Sequence, residues 1–156
     1  MDTVKINTEG RYEIRLPWLS DHPPVPTNYF VAQKRLKTTL AKLNKDNNFN
    51  LYDKIFKEWK NLNIIEEVGY EKDRGHFLPH RPVFKENSTT AIRPVFDAST
   101  RAKDAPSLNM CLEKGPNLIE LIPNILIRFR EFRIGITADI KKAFLQIEIN
   151  KITEIF

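Results

Sequence analysis

Residues 133–150 read RIGITADIKKAFLQIEIN, and the pattern of apolar residues in this segment is the starting point for predicting the fold. Ile134 and Ile136 alternate with smaller or polar residues, as in a buried β-strand, and the sequence LQIEIN alternates in the same way. KKAF lies between the two alternating segments and is expected to form a turn. The segment therefore predicts two strands joined by a short connection, with Asp139 at the end of the first strand.

Asp139 is the residue around which a functional site is predicted. A carboxylate at the end of a buried strand, followed by a tight turn, can hold a divalent metal, and the backbone N–H groups of the turn can receive phosphate oxygens. Phe144 follows after a short connection and can form an apolar wall over the same pocket. The alternative is an exposed Asp139 before a hairpin with Phe144 in the core, and the spacing alone favours that alternative.

Helices are expected on both sides of a middle region of extended chain. Residues 27–44 and 49–62 each place apolar side chains on one helical face, opposite polar and charged residues. A third amphipathic helix is predicted at residues 118–132, where Pro123 falls in the first turn and costs no hydrogen bond. The apolar stripe of the first helix consists of Leu36, Leu40 and Leu43, and that of the second helix consists of Leu51, Ile55, Trp59 and Leu62.

Residues 76–97 are expected to be extended, because short apolar segments alternate there with turn-forming residues, notably Glu-Asn-Ser at 86–88. The prolines of this region favour edge strands. Lys85 and Arg93 lie on opposite sides of the turn and can project cations toward one bound triphosphate, the lysine as a mobile point charge and the arginine as a bidentate donor. The alternative is that both are solvated strand charges.

The composition restricts the class of protein. With 41% hydrophobic and 29% charged residues, the chain is expected to fold rather than to stay disordered. The formal charge of +5 mildly favours a polyanionic partner, although many domains without such a partner carry a similar charge. Cys111 is the only cysteine, which excludes an intramolecular disulfide, and it is expected to be a small buried hydrophobe.

The sequence carries no pattern of a membrane protein. The N-terminal residues are charged and lack a continuous apolar core, so neither a signal peptide nor a membrane anchor is predicted. No run approaches the roughly 20 apolar residues that a transmembrane helix needs. A cytoplasmic or nuclear location without a membrane partner is therefore expected.

Six segments of the sequence form an ordered series: RYEIRLPW (11–18), DHPPVPTNY (21–29), FLPHRPVFKE (77–86), IRPVFDAS (92–99), SLNMCLEKGPNL (107–118) and ITADIKKAFLQIEI (136–149). The series covers almost the whole chain and resembles the reverse transcriptases of the Bel/Pao group of LTR retrotransposons. The resemblance implies an α+β fold, namely the fingers and an incomplete palm sheet of a right-hand polymerase, with N-terminal helices followed by short antiparallel strands. It assigns residues 1–132 to a fingers-like region and residues 133–156 to the start of the palm with the first catalytic motif, truncated C-terminally.

The resemblance implies catalytic and metal-binding roles at the first catalytic motif, ITADIKKAF at residues 136–144, which is called the first motif below. Asp139 is then the first catalytic aspartate and ligates Mg²⁺, with the Ile140 carbonyl assisting. Asp97 corresponds to an aspartate of the fingers and is expected to organise its loop rather than to contact metal.

The same resemblance implies a set of nucleotide-binding residues. Lys85 and Arg93 clamp the incoming triphosphate. Lys142 and Ala143 offer backbone N–H groups to it. Phe144 is the steric gate that rejects the 2′-hydroxyl of a ribonucleotide.

The second pair of catalytic aspartates in this family lies in a Tyr-x-Asp-Asp tetrapeptide, which the 156 residues do not contain. The chain alone is therefore expected to be inactive, whereas the intact parent would add dNTPs to a primer 3′-hydroxyl on an RNA or DNA template, with release of pyrophosphate. The implied partners are the template-primer, the dNTP and the remaining palm and thumb segments of a parent polyprotein.

Two other functions stay open at this point. The chain can be a non-catalytic nucleic-acid-binding remnant, or a structural or protein-interaction domain that shares the fold. The first helix carries the cations Lys34, Arg35 and Lys37, which can face template phosphate. Without further information, a solvated helix face is the expected environment for these cations.

Overall fold

The computed structural model describes residues 4–69, 75–85, 91–140 and 142–150, which form a mixed α+β structure with four α-helices and two small β-sheets. The predicted turn at residues 86–88 lies outside the described residues. In chain order the elements are β1 (Val4–Ile6), β2 (Tyr12–Ile14), α1 (Tyr29–Lys45), α2 (Phe49–Asn61), β3 (His80–Phe84), β4 (Ile92–Phe96), α3 (Leu108–Cys111), a first 3-10 helix (Leu118–Leu121), α4 (Ile122–Phe129), a second 3-10 helix (Ala143–Gln146) and β5 (Ile147–Ile149).

The antiparallel strands β3 and β4 form a two-stranded hairpin sheet whose two faces differ in chemistry. On one face, His80 and Phe96 are paired across the strands, and Trp59 of α2 stacks on Phe96 with 6.4 Å between ring centroids. Ile92 of the same face is buried against Leu43 of α1. This face therefore belongs to the core, and side chains at the intervening positions point to the opposite face.

The second sheet has the strand order β1-β2-β5, with β2 antiparallel to β1 and parallel to β5. Its register places Lys5, Glu13 and Glu148 side by side on one face, where Asn7 donates to Glu148 and Asn150 donates to Glu13. The opposite face carries apolar and aromatic residues, because they occupy the alternate positions of all three strands. These residues are Val4, Ile6, Tyr12, Ile14, Ile147 and Ile149.

The segment after β4 returns to the N-terminal part of the chain. Cys111 is fully buried, which confirms its predicted role as a small hydrophobe, and its carbonyl accepts a hydrogen bond from Leu19 N at 3.0 Å. Trp18 forms a β-bridge with Leu112. Asn28, which precedes α1, is buried and donates to backbone carbonyls on both sides of the hairpin. These contacts fix the start of α1 beside β3 and β4.

The first two predicted helices are confirmed. α1 begins two residues and ends one residue later than the predicted range 27–44, and α2 ends one residue before the end of 49–62. Leu43 and Trp59, both from the predicted apolar stripes, are buried in the core. The stripes are therefore correct only in part: Leu51 and Leu62 of the second stripe are exposed, and Tyr52, which the stripe did not include, is buried instead.

The third predicted helix, at residues 118–132, is wrong in its extent. The chain forms the first 3-10 helix and then α4, which ends at Phe129. Beyond α4 the backbone turns back, so that a Cβ atom at Gly135 would lie 2.5 Å from Cζ of Phe129. The chain therefore leaves the helical path after Phe129 and passes close to the ring of this residue.

The predicted strand at residues 133–139 is not formed, and this corrects the sequence-based expectation. The segment has no regular secondary structure, and Ile134 and Ile136 are 81% and 85% exposed. A strand needs a hydrogen-bonded neighbour and an apolar surface against one face, and alternation of side chains supplies neither. Within the described part of the chain, β5 pairs with β2 rather than with this segment. The other predicted strand, LQIEIN, is confirmed only at its centre as β5, since Leu145 and Gln146 belong to the second 3-10 helix.

Candidate functional site

The solvent-facing side of the β3–β4 hairpin forms the first part of the candidate site. The backbone N of Lys85 donates to the Ala91 carbonyl at 2.9 Å, so the antiparallel register continues one pair beyond β3. Arg93 pairs with Val83, two positions away, which places Lys85 and Arg93 diagonally on one face, a relationship that spans about 7–8 Å. Both residues are exposed. The structure therefore brings together the two cations that the sequence predicts as a pair.

Arg81 adds a third cation to this face, and the sequence analysis missed it. Arg81 pairs with Val95, and the two-residue period of a strand places it on the same face as Lys85. It is exposed as well. The period-two spacing of Arg81 and Lys85 was visible in the sequence, but the shared face with Arg93 depends on the register between the strands.

An open groove of about 640 Å³ lies between α1 and the hairpin. Phe30, Lys34 and Arg35 line it from α1, and Arg81 and Val95 line it from the hairpin. Phe30 is 75% exposed, although it is a large aromatic residue. The groove therefore combines cations with an accessible aromatic ring.

Asp97 also lines the groove and organises the loop after β4, as predicted for it. Its Oδ2 accepts hydrogen bonds from Thr100 Oγ1 and from Arg35 Nη1, each at 2.6 Å, and its Oδ1 accepts from Ser99 N at 3.1 Å. The hydrogen bond from Thr100, supported by Arg35 and Ser99, lowers the pKa of the Asp97 carboxyl, and slight burial opposes that shift. This carboxylate therefore remains charged and is occupied by groups of the protein itself.

Asp139 lies in the irregular segment between α4 and the second 3-10 helix, where it is exposed. The neighbouring Ile140 is exposed too. Across the residues that the structure describes, no ion pair joins Asp139 to Lys85 or Arg93. The structure thus presents the Asp139 carboxylate to solvent.

Lys142 holds the backbone in a left-handed conformation, with φ 53° and ψ 42°, immediately before the second 3-10 helix. Leu145 N donates to the Lys142 carbonyl at 2.8 Å, and this is the first hydrogen bond of that helix. The N–H groups of Ala143 and Phe144 precede it and have no partner within the helix, as at any helix start. They are therefore available to an acceptor from outside the helix.

The side chain of Lys142 bonds to a residue that the sequence analysis did not identify. Its Nζ donates to Glu58 Oε1 at 2.7 Å, and this ion pair ties the first motif to α2. No sequence signal points to this contact, because the two residues are distant in the chain and charges of both signs are common in both regions.

Phe144 is 90% exposed. The sequence left open whether this ring lies in the core or beside Asp139, and the core position is wrong. An exposed ring next to a backbone turn is accessible to a ligand that binds there.

The Mg²⁺ that the resemblance implies needs a set of oxygen ligands with near-octahedral geometry. Asp139 supplies one carboxylate and Ile140 one carbonyl. In the described ranges, no three His, Cys, Asp or Glu side chains cluster in a way that could hold a metal ion. The residues present do not make up a Mg²⁺ site by themselves.

No family model, curated protein or solved structure matches this chain. Among the helices that the structure describes, none is long and apolar enough to cross a membrane. Support for a function therefore comes from the chain's own residues, chiefly the cations of the hairpin face, and from the sequence resemblance.

Proposed function

We propose that this chain is part of an RNA-directed DNA polymerase of the retrotransposon type and contributes to binding of the incoming dNTP. The ordered resemblance of six sequence segments to Bel/Pao reverse transcriptases supports the proposal. The structural observation that carries it is the shared hairpin face of Lys85 and Arg93. Two exposed cations at a spacing fixed by strand geometry suit a ligand with several neighbouring negative charges, such as a triphosphate.

Lys85 and Arg93 serve the triphosphate in different ways. The ammonium group of Lys85 is a compact charge on a flexible stem and follows whichever phosphate oxygen is nearest. The planar guanidinium of Arg93 donates two parallel hydrogen bonds to one phosphate and so fixes its orientation. The pair neutralises charge and positions the nucleotide.

The first motif contributes the remaining contacts in this proposal. The N–H groups that begin the second 3-10 helix, including that of Ala143, receive phosphate oxygens. The exposed ring of Phe144 lies beside the sugar, where a 2′-hydroxyl would collide with it. Asp139 presents its carboxylate to the reacting end of the nucleotide.

Catalysis is not expected from these 156 residues alone. Asp139 is one carboxylate, and templated phosphoryl transfer in this class of enzyme relies on a further aspartate pair in a Tyr-x-Asp-Asp sequence, which the chain does not contain. A primer-extension assay with a labelled template-primer, dNTPs and Mg²⁺ should give no extended product. Templated synthesis by the chain alone would contradict this expectation.

Nucleic-acid binding without catalysis is a second candidate function. The three exposed cations on one hairpin face favour this function, since such cations can also bind successive phosphates of a nucleic-acid strand. A nucleic-acid-binding remnant would bind the template-primer but show no preference for a dNTP at Lys85 and Arg93.

Equilibrium binding of a fluorescent dATP analogue tests the proposed function. The double variant Lys85→Gln, Arg93→Gln removes both proposed phosphate contacts and is compared with Lys45→Gln, Arg15→Gln, which removes the same charges from exposed positions elsewhere. We expect the first variant to weaken binding by about a hundredfold or more, because hydrogen bonds to charged groups are worth ~1.5–3 kcal/mol each and two are removed. The control should keep the affinity of the unmodified chain.

Equal losses in the two double variants would contradict the proposed function. They would mean that the nucleotide responds to the overall positive charge rather than to a clamp on the hairpin. No binding by the unmodified chain would contradict it as well.

A further inference from the structure

We infer that Glu58 is a positioning residue of the nucleotide site, because its ion pair with Lys142 fixes the turn that presents the N–H groups of Ala143 and Phe144. The inference rests on the proposed function and deepens it, since it identifies a contact that holds the two parts of that site together. One part is the pair of cations on the hairpin, and the other is the first motif. Glu58 belongs to neither part and acts on the nucleotide only through Lys142.

Glu58 lies on a helix that is fixed to the hairpin. The next residue of α2, Trp59, is buried and stacks on Phe96 of β4, with 6.4 Å between ring centroids. This contact lies on the core face of the hairpin, and the two proposed phosphate ligands project from the opposite face. The backbone of Glu58 therefore has a defined position relative to the cations of the hairpin.

The backbone conformation of Lys142 requires support from its surroundings. Its φ of 53° and ψ of 42° lie in the left-handed region, where the Cβ atom of an ordinary residue crowds the following carbonyl. A residue in such a conformation persists only where neighbouring contacts hold it there. The Nζ atom of Lys142 donates to Glu58 Oε1 at 2.7 Å. This ion pair is therefore a contact that can hold the turn in its unfavourable conformation.

The turn at Lys142 determines where the second 3-10 helix begins and how it is directed. Ala143 and Phe144 follow immediately, and their N–H groups have no partner within the helix. The ring of Phe144 is 90% exposed, so its direction depends mainly on the backbone that carries it. The strand after this helix, β5, is held separately by its pairing with β2. A rotation at Lys142 would therefore redirect the N–H groups and the ring together.

Charge and stability predict different effects for the loss of Glu58. Its carboxylate has the same sign of charge as a triphosphate, so removing the carboxylate should strengthen the general attraction of the chain for nucleotides. The side chain of Glu58 is 52% exposed, and an exposed ion pair contributes little to the free energy of unfolding. A loss of sugar selectivity without a loss of stability is therefore expected only if the ion pair positions the turn.

Three variants of the full chain separate these effects. Glu58→Gln removes the charge and retains the shape of the side chain. The matched control, Asp53→Asn, removes a carboxylate of the same helix from another surface ion pair, that of Asp53 with Lys57, whose length is also 2.7 Å. The double variant Glu58→Lys, Lys142→Glu reverses the ion pair and so separates the contact with Lys142 from any other contact of Glu58. Circular dichroism and thermal unfolding establish that each variant is folded.

The first measurement is hydrogen exchange of the Leu145 amide by NMR, without nucleotide. This amide donates to the Lys142 carbonyl at 2.8 Å and therefore reports on the turn. Its exchange should be about fivefold or more faster in Glu58→Gln, because a turn that opens more often exposes its hydrogen bond to water. Exchange in Asp53→Asn should equal that of the unmodified chain, and the reversed pair should recover most of the protection.

The second measurement is the ratio of the affinities for dATP and ATP, from competition titrations against a fluorescent nucleotide. The unmodified chain and Asp53→Asn should prefer dATP by about tenfold. Glu58→Gln should reduce this preference to about threefold or less, without weaker binding of ATP, because the ring of Phe144 is no longer held beside the sugar. The reversed pair should regain the preference.

Three outcomes would overturn the inference. Unchanged exchange at Leu145 in Glu58→Gln, or an equal increase in Asp53→Asn, would mean that the ion pair does not hold the turn. Faster exchange with retained preference for dATP would reduce the pair to a structural contact. A folded reversed pair that recovers neither property would assign the effect to other contacts of Glu58.

The inference and the proposed function fail separately. Each outcome that overturns the role of Glu58 leaves dATP binding at Lys85 and Arg93 intact. No dATP binding by the unmodified chain would instead contradict the proposed function and, with it, a role of Glu58 toward a nucleotide. Exchange of the Leu145 amide would still decide whether Glu58 holds the turn.

Discussion

The hydroxyl of Tyr52 lies 2.8 Å from Nδ1 of His80, and this hydrogen bond joins α2 to β3 on the core side of the hairpin. The rings of Phe56 and Phe96 pack at 5.1 and 5.6 Å from the imidazole. Because these apolar neighbours keep water away, burial lowers the pKa of His80 and raises the pKa of Tyr52 to about 12. The folded protein therefore holds both groups in their neutral forms at neutral pH.

The buried imidazole of His80 should make stability fall with decreasing pH. The pKa of His80 in the folded state is lower than the ordinary value of 6.5, so the unfolded chain binds a proton first as the pH decreases. The contribution of His80 to the free energy of unfolding in urea should therefore be constant above the ordinary pKa of 6.5 and decrease as the pH falls below 6.5. His80→Gln should flatten this decrease, whereas His22→Gln, which removes a histidine outside the cluster, should retain it. An identical pH dependence in His80→Gln and in the unmodified protein would refute the assignment.

Leu43 should be among the most sensitive positions of the core. Its side chain is 1% exposed and packs with Tyr52 and Ile92. Truncation of a buried leucine to alanine removes transfer energy and leaves a cavity, which costs about 2–5 kcal/mol. Leu43→Ala should lower the free energy of unfolding in urea by that amount. Leu36→Ala, on the same helix but partly exposed, should cost less than half as much, and equal costs would mean that the core lies elsewhere.

Asp97 should contribute to stability through the loop that it organises. Asp97→Asn removes the charge that accepts hydrogen bonds from Thr100 and Arg35 while preserving the shape of the side chain. The pair with Arg35 is largely exposed, so a loss of about 1 kcal/mol is expected rather than the larger value of a buried pair. Thermal unfolding measures the change. Asp104→Asn, in the same loop region, should leave the midpoint temperature of unfolding unchanged. A decrease as large as that of Asp97→Asn would argue against a specific role for Asp97.

Phe144 should determine sugar selectivity if the proposed function holds. The unmodified chain should bind dATP more tightly than ATP by about tenfold, a difference of ~1.4 kcal/mol, because the exposed ring collides with a 2′-hydroxyl. Phe144→Ala should bring the two affinities together without weakening dATP. Competition titrations against a fluorescent nucleotide give both constants. Phe132→Ala, another exposed phenylalanine in the same part of the chain, should retain the difference. Retained selectivity in Phe144→Ala would remove the proposed gate.

The sequence predicted those parts of the fold that depend on local periodicity. The apolar stripes of α1 and α2 identified both helices and placed Leu43 and Trp59 in the core, because a helical face repeats within a few residues. Burial of Cys111 followed from its chemistry. The antiparallel arrangement of the strands that carry Lys85 and Arg93 followed from two short extended segments on either side of a turn, whereas their shared face depends on the register that the structure shows.

The features that the sequence did not predict depend on contacts between distant segments. Alternation at residues 133–139 suggested a strand, but a strand exists only where a neighbour offers free backbone groups, and β5 pairs with β2 instead. The ion pair of Lys142 with Glu58 and the place of Arg81 beside Lys34 arise from packing of α1 and α2 on the hairpin. The sequence around either residue of such a contact does not indicate which distant residue it will meet.

Photolabelling with an azido derivative of dATP, followed by mass spectrometry of the digested protein, tests the proposed nucleotide site most directly. The label should appear both on peptides that contain Lys85 or Arg93 and on the peptide that contains Phe144, and excess unlabelled dATP should suppress it at both. Labelling scattered over the lysine-rich helices, or unaffected by competing dATP, would contradict a nucleotide site formed by the hairpin and the first motif.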